Sequence, residues 1–348
     1  MSRTCTSARV TLVTPMTDIQ LLSHYSKMSS GIKLAIGGFA GINSFAASIF
    51  LRIPLYRYSM HLPLLHLAFV LLAWTLFVHA APALEPRATT GISQELFDEL
   101  KFYFQYASSS SSDACASPNG HVFVKKINNV ITDTQGFIAR DDDRKEIIVA
   151  LRGSQSLIDG VVDIAFIPVP IISRGIKAPL FSFVHAGFLT AYNSVADGII
   201  NTVKSELALH PGYSLVTSGH SLGGALASIA GLSLQQNFHN NTVRMYTYGQ
   251  PRTFNSVAAF FINKKFGDKA HRSVHVNDII PHIVPQGILD FRHHGVEYWQ
   301  FTEPAVPANI KSCNADGEDP KCSKQISSIG GDSAHGVYYG VQSGTKFC

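Results

Sequence analysis

Ser221 is the residue of this sequence whose setting most clearly indicates chemistry. It stands at the centre of the pentapeptide GHSLG (219–223), between an apolar run at 213–218 and a stretch rich in glycine and alanine. Where a strand turns sharply into a helix, the pattern G-x-S-x-G exposes the serine hydroxyl at the edge of a sheet, and the first N–H groups of the helix favour negative charge beside it. The pattern therefore predicts a nucleophilic serine rather than a plain glycine turn.

A serine nucleophile needs a base, and the base needs a carboxylate that orients it. With this kind of turn, the three residues follow the order serine, acid, histidine along the chain. Asp278 comes after the apolar segment 273–276, so we expect it in a loop at the carboxyl end of a strand. Sheets of this class place their catalytic groups in such loops. Asp278 is thus the candidate acid.

Four histidines follow Asp278 and are candidates for the base: His282, His293, His294 and His335. His282 is only four residues from the acid, which leaves it little room to lie between the acid and the serine. His335 lies in a loop of small residues near the end of the chain, as the order of the three residues requires. We therefore favour His335, and His294 stays the alternative.

The elements that must position these residues can be predicted from the periodicity of apolar residues. Helices are predicted at 93–107, 186–209, 222–237 and 255–266, and strands at 121–130, 134–142, 145–153, 213–218, 243–248 and 273–276. Strands that alternate with helices predict a mostly parallel sheet covered by helices on both faces. The simplest division is a single α/β domain from about residue 90 to residue 348.

Charge is distributed unevenly along the 348 residues. The formal net charge is +4, but residues 1–80 carry six basic side chains and one acidic one, which leaves 22 basic and 23 acidic side chains for the rest. The basicity therefore belongs to the N-terminal leader. Nucleic acid is not an expected partner, because binding it requires a basic surface on the domain.

The leader has the pattern of an export signal. Residues 62–83 are apolar, contain no charged side chain and end in small residues, as a secretory signal peptide does. We assign 60–80 to the signal peptide and 81–91 to a short linker of the pro-segment type. A membrane anchor is the alternative, because the apolar run is long enough to span a bilayer. Residues 1–59 are interpreted as a gene-model extension upstream of the true start.

Cysteine usage agrees with an extracellular protein. The chain has five cysteines, Cys5, Cys115, Cys313, Cys322 and Cys348. Removal of the leader leaves an even number, as in oxidised secreted domains, with three pairings open. The short polar loop between Cys313 and Cys322 suggests a local bridge, which leaves Cys115 for Cys348. Asn240 begins an Asn-Asn-Thr sequon and is a predicted glycosylation site if the chain is exported.

Together these motifs resemble the fungal class 3 lipase family, the secreted triacylglycerol lipases of filamentous fungi with an α/β-hydrolase fold. The matching motifs occur in the family's order: IIVALRGSQS (147–156), VHAGFLTAY (184–192), YTYGQPRTFN (246–255), VNDIIPHIVP (276–285) and HHGVEYW (293–299). The resemblance covers about 92–348 and implies one α/β-hydrolase domain over that range. The family's disulfides are also similar to the pairs Cys313–Cys322 and Cys115–Cys348.

The resemblance implies a role for each candidate residue. Ser221 would attack an ester carbonyl, His335 would act as general base, and Asp278 would orient the histidine. Ser154, with its hydroxyl and backbone N–H, and the N–H of Leu222 would form the oxyanion hole. No cofactor or metal is implied, because no cysteine or histidine cluster has the spacing of metal ligands.

In the family, a short amphipathic helix after the oxyanion serine covers the site and opens at lipid surfaces. The corresponding residues here are Leu157, Ile158, Val161, Val162 and Asp163, of which Asp163 matches a family aspartate that orients the oxyanion serine. The segment lacks the aromatic and basic residues that family lids often carry, so a loop that simply packs down is the alternative. The apolar stretches 166–183 and 283–291 would either line an acyl groove or belong to the core.

The function implied by the resemblance is a secreted, extracellular serine ester hydrolase that cleaves acylglycerols through an acyl-enzyme. Its partner would be a lipid or ester substrate at a lipid–water interface, and no obligate protein partner is expected. The same three residues would also serve a feruloyl or short-chain carboxylesterase. The third alternative is a lipid-binding module that keeps the fold without catalysis.

Overall fold

The structure, a computed structural model, describes residues 89–112, 115–153, 166–287, 289–326 and 332–348. The predicted leader, the signal peptide and residues 81–88 of the linker lie outside the described residues. All described residues fall within one compact unit, His79–Cys348. None of the helices in this described part has the length and apolar character needed to cross a bilayer.

A nine-stranded sheet forms the centre of the domain. The strands of the protein are β1 (Thr89–Thr90), β2 (Val122–Asn129), β3 (Thr134–Asp141), β4 (Glu146–Leu151), β5 (Pro168–Pro170), β6 (Phe183–His185), β7 (Ser214–His220), β8 (Val243–Tyr248), β9 (Phe254–Asn255), β10 (Ala270–His275), β11 (Phe291–Arg292), β12 (Val296–Gln300), β13 (Ile310–Ser312), β14 (Val337–Tyr338) and β15 (Val341–Gln342). The central sheet has the order β1-β13-β12-β10-β8-β7-β4-β3-β2. Its inner strands β12, β10, β8, β7 and β4 are parallel, whereas the strands at both edges pair antiparallel.

The helices cover both faces of this sheet. They are α1 (Gln94–Ser109), α2 (Ala186–Leu209), α3 (Leu222–Asn237), α4 (Ser256–Phe266) and the short α5 (Asp332–His335). Ser93 caps the start of helix α1, because its hydroxyl accepts the N–H of Leu96 at 3.2 Å, and the helix packs on one face of the sheet. Helices α2 and α3 pack on the other face. The predicted fold class, a mostly parallel sheet between two layers of helices, is confirmed.

Strand β4 shows why the central strands are continuous apolar runs. Its residues alternate between two hydrophobic clusters, so that Ile147 and Val149 pack toward α2 and α3 while Ile148 and Ala150 pack toward α1. All four side chains are fully buried. A strand between two helical layers has no solvent-facing side, and its sequence therefore shows no polar alternation.

Two smaller sheets were not predicted from the sequence. An antiparallel sheet has the order β11-β9-β6-β5, and β14 pairs with β15 as a hairpin. These strands have two or three residues each, which is too short for periodicity to indicate them. The apolar stretch 166–183 is partly core and partly surface, because Ile171 and Ile176 are buried whereas Leu180 and Phe181 are exposed.

Both disulfides suggested by the spacing of the cysteines are present. Cys313 is bonded to Cys322 across 9 residues, and Cys115 is bonded to Cys348 across 233 residues. The second bridge joins the loop after α1 to the C-terminal residue. Near it, the Ser109 hydroxyl accepts the N–H of Phe347 at 2.9 Å, so the end of the chain is bonded to α1 by this hydrogen bond and to the loop after α1 by the disulfide.

Candidate active site

The turn between β7 and α3 holds Ser221 in a strained backbone conformation. Ser221 has φ 61° and ψ −126°, although a residue with a side chain rarely adopts a positive φ. Its N–H donates to the carbonyl of Tyr248 at 2.8 Å, and its own carbonyl accepts the N–H of Gly224 at 2.9 Å. Strain of this kind persists only where surrounding bonds impose it, and it concentrates at functional sites.

The two glycines of the pentapeptide allow this turn to fold on itself. A Cβ atom on Gly219 would overlap the carbonyl of Gly223, and a Cβ atom on Gly223 would overlap the carbonyl of Leu151 at the end of β4. The close approach of β4, β7 and α3 therefore excludes any other residue type. This contact is the physical reason for the pattern around Ser221.

The positive end of α3 lies directly after the serine. Leu222 is the first residue of the helix, so its N–H has no acceptor within the helix. The first turn contains no acidic side chain, and the Ser221 side chain does not cap it. The helix end is therefore free to stabilise a negative oxygen bound beside Ser221.

Ser154, the second predicted oxyanion residue, lies outside the described residues, as do Leu157, Ile158, Val161, Val162 and Asp163 of the predicted lid. The described chain before them ends at Gly153, directly beside the serine. A Cβ atom on Gly153 would lie 3.4 Å from the Cβ of Ser221. The residue before Ser154 is thus adjacent to the candidate nucleophile.

Asp278 lies in the loop after β10, as predicted, and is completely buried. Its Oδ2 accepts the Nδ1–H of His335 at 2.8 Å and the hydroxyl hydrogen of Tyr338, and its Oδ1 accepts the N–H of Ile280 at 2.9 Å. Burial raises the pKa of this carboxyl. The hydrogen bond and the charge of His335, together with the hydrogen bonds from Tyr338 and Ile280, lower the pKa by more, so it lies below its usual value. Asp278 is therefore a carboxylate at neutral pH.

His335 ends α5 and is also buried. Because the Asp278 carboxylate can only accept, Nδ1 of His335 carries the proton, and Nε2 is left as the basic nitrogen. Neither Nε2 of His335 nor Oγ of Ser221 has a hydrogen-bond partner among the described residues, although both atoms are buried. Nucleophile–base bonds of this kind often close only when substrate is bound.

Two neighbours connect the histidine to the serine turn. A Cβ atom on Gly249 would lie 2.6 Å from Cε1 of His335, and residue 248 accepts the Ser221 N–H. The His220 ring lies beside the His335 ring, tilted by 31° with 4.3 Å between ring centroids. Ser221 and His335 therefore share the same neighbouring residues, 220 and 248–249.

The other candidate histidines have different surroundings. Nε2 of His294 lies 3.3 Å from Nε2 of Gln250, and burial lowers the pKa of His294 to about 3. His293 lies within 2.8 Å of the Pro281 carbonyl. Among the described side chains, His335 and Tyr338 are the ones that bond the Asp278 carboxylate, so the structure brings His335 rather than His294 to the acid.

Two contributions to the site were not predicted from the sequence. The hydrogen bond from Tyr338 to Asp278 could not be predicted, because the sequence shows only an aromatic stretch after His335. The contact of Gly249 with His335 could not be predicted from the pattern of strands. Asn240, by contrast, is exposed in the turn after α3, where a glycosylation site must lie.

Metal-ligating side chains of the described residues gather in two places, both away from Ser221. Glu297 lies beside Cys313 and Cys322, but a disulfide offers no thiolate to a metal. His121, Asp141 and Asp143 form the other group, with Arg144 3.8 Å from Asp141. That group adjoins the start of β4, the opposite end from Gly153.

Comparison with known proteins gives consistent matches. The family model described as lipase (class 3) matches residues 148–288. A lipase of Rhizomucor miehei is 33% identical over 235 residues, which are 66% of this chain and 62% of the relative. A secreted alkaline triacylglycerol lipase of Penicillium cyclopium is 30% identical over 241 residues, which are 68% of this chain and 84% of the relative. The chain thus spans less than two thirds of the Rhizomucor relative's length.

Solved structures agree with these matches. A triacylglycerol lipase described as having a serine-protease triad at its catalytic centre superimposes with a TM-score of 0.66 and 28% identity. The alignment covers 74% of this chain and 98% of that protein.

Proposed function

Because the chain belongs to the class 3 lipase family of fungal lipases, we propose that it is an ester hydrolase that cleaves acylglycerols with Ser221, His335 and Asp278. The observation that carries the proposal is the buried Asp278–His335 pair, whose free Nε2 adjoins the strained turn of Ser221. The matched lipase with a serine-protease triad supports the same assignment of roles.

The chemistry follows from the proton positions. Nε2 of His335 removes the proton of the Ser221 hydroxyl while the serine oxygen attacks the ester carbonyl. The resulting imidazolium is stabilised by Asp278 and returns the proton to the alcohol that leaves. Water, activated by the same nitrogen, then attacks the acyl-enzyme and releases the fatty acid.

The oxyanion of each tetrahedral intermediate would be bound by the N–H of Leu222 and by Ser154. The position of Leu222 at the start of α3 and of Gly153 beside Ser221 supports this assignment. One preorganised donor typically contributes about 10²–10³ in kcat. Replacement of Ser154 by alanine is therefore expected to lower kcat by roughly that factor while binding of substrate is kept.

An apolar acyl chain is the expected ligand of the surface that follows the proposed lid. Ile167, Ile172, Leu180 and Phe181 are 53%, 75%, 80% and 68% exposed. Exposed apolar side chains in such number favour contact with lipid. We propose that Leu157, Ile158, Val161 and Val162 form the lid over the site and that Asp163 orients Ser154.

Export to the extracellular space is also part of the proposal. The paired cysteines, the exposed sequon at Asn240 and the secreted Penicillium relative support it. Disulfides persist in oxidising compartments and are rare in reducing ones, so two disulfides agree with export.

Hydrolysis of tributyrin, triolein and methyl ferulate by the purified protein tests the proposal. We expect turnover of both acylglycerols and its loss in Ser221→Ala. Turnover of methyl ferulate alone would assign the site to a feruloyl esterase. Absence of turnover on all three esters by a folded protein would favour the lipid-binding module and contradict the proposal.

A further inference from the structure

Two buried imidazoles hold consecutive carbonyls at the turn that carries His335. Nδ1 of His275 lies 2.7 Å from the carbonyl oxygen of Ala334, and Nε2 of His220 lies 2.9 Å from that of His335. Helix α5 has only four residues, so these carbonyls have no later helical N–H to accept. The side chains of two other elements take the place of the missing helix turn.

The two imidazoles differ in how many of their ring nitrogens must donate a proton. Nδ1 of His220 lies 3.3 Å from the Ser343 hydroxyl, which can donate, so His220 needs a proton on Nε2 alone. Burial and the charge of His335 lower the pKa of His220 to about 3, in agreement with a neutral ring. His275, in contrast, lies between two groups that only accept.

On one side, Nδ1 of His275 must donate to the Ala334 carbonyl. On the other side, Nε2 lies 2.7 Å from Oε1 of Glu303, a carboxylate whose side chain is 58% exposed. Two acceptors at these distances require a proton on each ring nitrogen. A ring with a proton on both nitrogens bonds the Ala334 carbonyl and pairs with Glu303 at the same time, and such charge-assisted bonds are stronger than neutral ones.

His275 also contacts the acid loop through its main chain. Its carbonyl accepts the N–H of Asp278 at 2.8 Å. One residue thus bonds the loop of the acid through its backbone and the turn of the base through its side chain. A shift of the His275 ring would move Ala334 relative to Asp278.

We propose that His275, paired with Glu303, is a positioning residue that keeps His335 aligned between Asp278 and Ser221. The proposal rests on the proposed function, in which His335 is the general base. His275 touches neither the serine nor the expected substrate, so it acts through the placement of the His335 ring. A displacement of about 1 Å at such a ring is sufficient to lower turnover by about 10²-fold.

Substitutions of His275 separate this role from simple packing. We expect His275→Leu to lower kcat on tributyrin by about 10²-fold with little change in KM, because substrate binding is not altered. In His275→Asn the amide nitrogen takes the place of Nδ1 but cannot reach Glu303, so turnover should recover to the level of Glu303→Ala. In His275→Gln the amide nitrogen lies nearer the place of Nε2, and turnover stays low.

His271 provides a matched control on the same strand. Its ring is buried and stacked between Tyr246 and Tyr298, at 4.6 and 5.5 Å between centroids. His271→Leu should lower the melting temperature without lowering kcat. Wild-type kcat in all His275 variants, or equal losses in His275→Leu and His275→Asn, would overturn the proposal.

A measurement on the intact protein avoids any dependence on core substitutions. In ¹⁵N NMR of histidine-labelled wild-type protein at neutral pH, we expect bonded protons on both ring nitrogens of His275. Glu303→Ala, a substitution of an exposed side chain, should remove one of them and lower kcat with the melting temperature unchanged. A single bonded proton on the wild-type ring would overturn the proposal.

The failure of this inference differs from the failure of the proposed function. If Ser221→Ala is inactive while the His275 and Glu303 variants keep full kcat, only the positioning role is wrong. If Ser221→Ala keeps wild-type turnover, the proposed function is wrong, whatever the His275 variants do.

Discussion

Nδ1 of His335 lies 2.8 Å from Oδ2 of Asp278, although 57 residues separate the two in the chain. The fold produces this contact by placing the loop after β10 against the short helix before the β14–β15 hairpin. The contact fixes which nitrogen of His335 is protonated, and therefore which nitrogen can act as a base.

Gly249 lies against the ring of His335 and has φ +57°. We expect Gly249→Ala to push the ring away from Ser221, since the new Cβ would lie 2.6 Å from Cε1 of His335, and to lower kcat by about 10²-fold. Gly267 is the control because it has the same φ and no atom within 4 Å of an added Cβ. Gly267→Ala places a side chain at the same strained φ, but it should keep kcat. Equal kcat values for the two variants, measured on tributyrin, would contradict the role of Gly249.

Tyr338 donates its hydroxyl hydrogen to the buried carboxylate of Asp278. Tyr338→Phe should lower the free energy of unfolding by about 1.5–3 kcal/mol, because a bond to a charged group is lost. Tyr339 is the matched control, since its hydroxyl bonds the neutral Ser273 hydroxyl at 2.7 Å. Tyr339→Phe should cost about 0.5–1.5 kcal/mol. Urea unfolding at neutral pH measures both, and a larger loss for Tyr339→Phe would contradict the prediction.

The lowered pKa of Asp278 links stability to pH. The unfolded chain binds the proton more readily than the folded chain, so this carboxylate stabilises the fold fully above its ordinary pKa of about 3.8. The contribution is lost as the pH falls through the lower pKa of the folded state. We therefore expect the difference in unfolding free energy between wild type and Asp278→Asn to shrink as the pH is lowered from neutral to about 3. A difference that is constant with pH would show that the folded-state pKa is not lowered.

The sequence predicted most of what locates the serine and the acid. The pattern GHSLG predicted the turn that carries Ser221, where the contacts of Gly219 and Gly223 exclude other residues, and helix α3 has the predicted bounds. Asp278 followed from the position of a strand end. These predictions depend on the residue pattern around one turn and on the period of single elements.

The surroundings of His335 depend on contacts that no local pattern records. His220 and His275 bond its turn from two different strands, and Tyr338 reaches Asp278 from a strand of two residues. The chain order favoured His335 over His294, but nothing in the sequence indicated that Gln250 would lie beside His294 instead of an acid. Side-chain partners of this kind appear only when the strands are assembled.

The two disulfides should differ in their effect on stability. In the chain-entropy model, a bridge that closes 233 residues restricts the unfolded chain more than one that closes 9 residues, with values of about 5 and about 2.5 kcal/mol. Replacement of Cys115 and Cys348 by serine should therefore destabilise the protein more than replacement of Cys313 and Cys322. Urea unfolding under non-reducing conditions compares the two double variants, and the reverse order would contradict the prediction.

Covalent labelling with a phosphonate ester tests the central claim, that Ser221 is a nucleophile activated by His335. The reagent should attach one group per molecule, and peptide mapping should place it on Ser221. Ser221→Ala should not be labelled and should lose turnover of tributyrin by about 10⁴-fold or more. Ser228→Ala is the control and should keep the label and the turnover, because that buried hydroxyl of α3 donates to the Ala225 carbonyl at 2.8 Å and accepts from the Gln250 amide at 3.5 Å. A folded wild-type protein that takes up no label at Ser221, or a Ser221→Ala variant with wild-type turnover, would contradict the account.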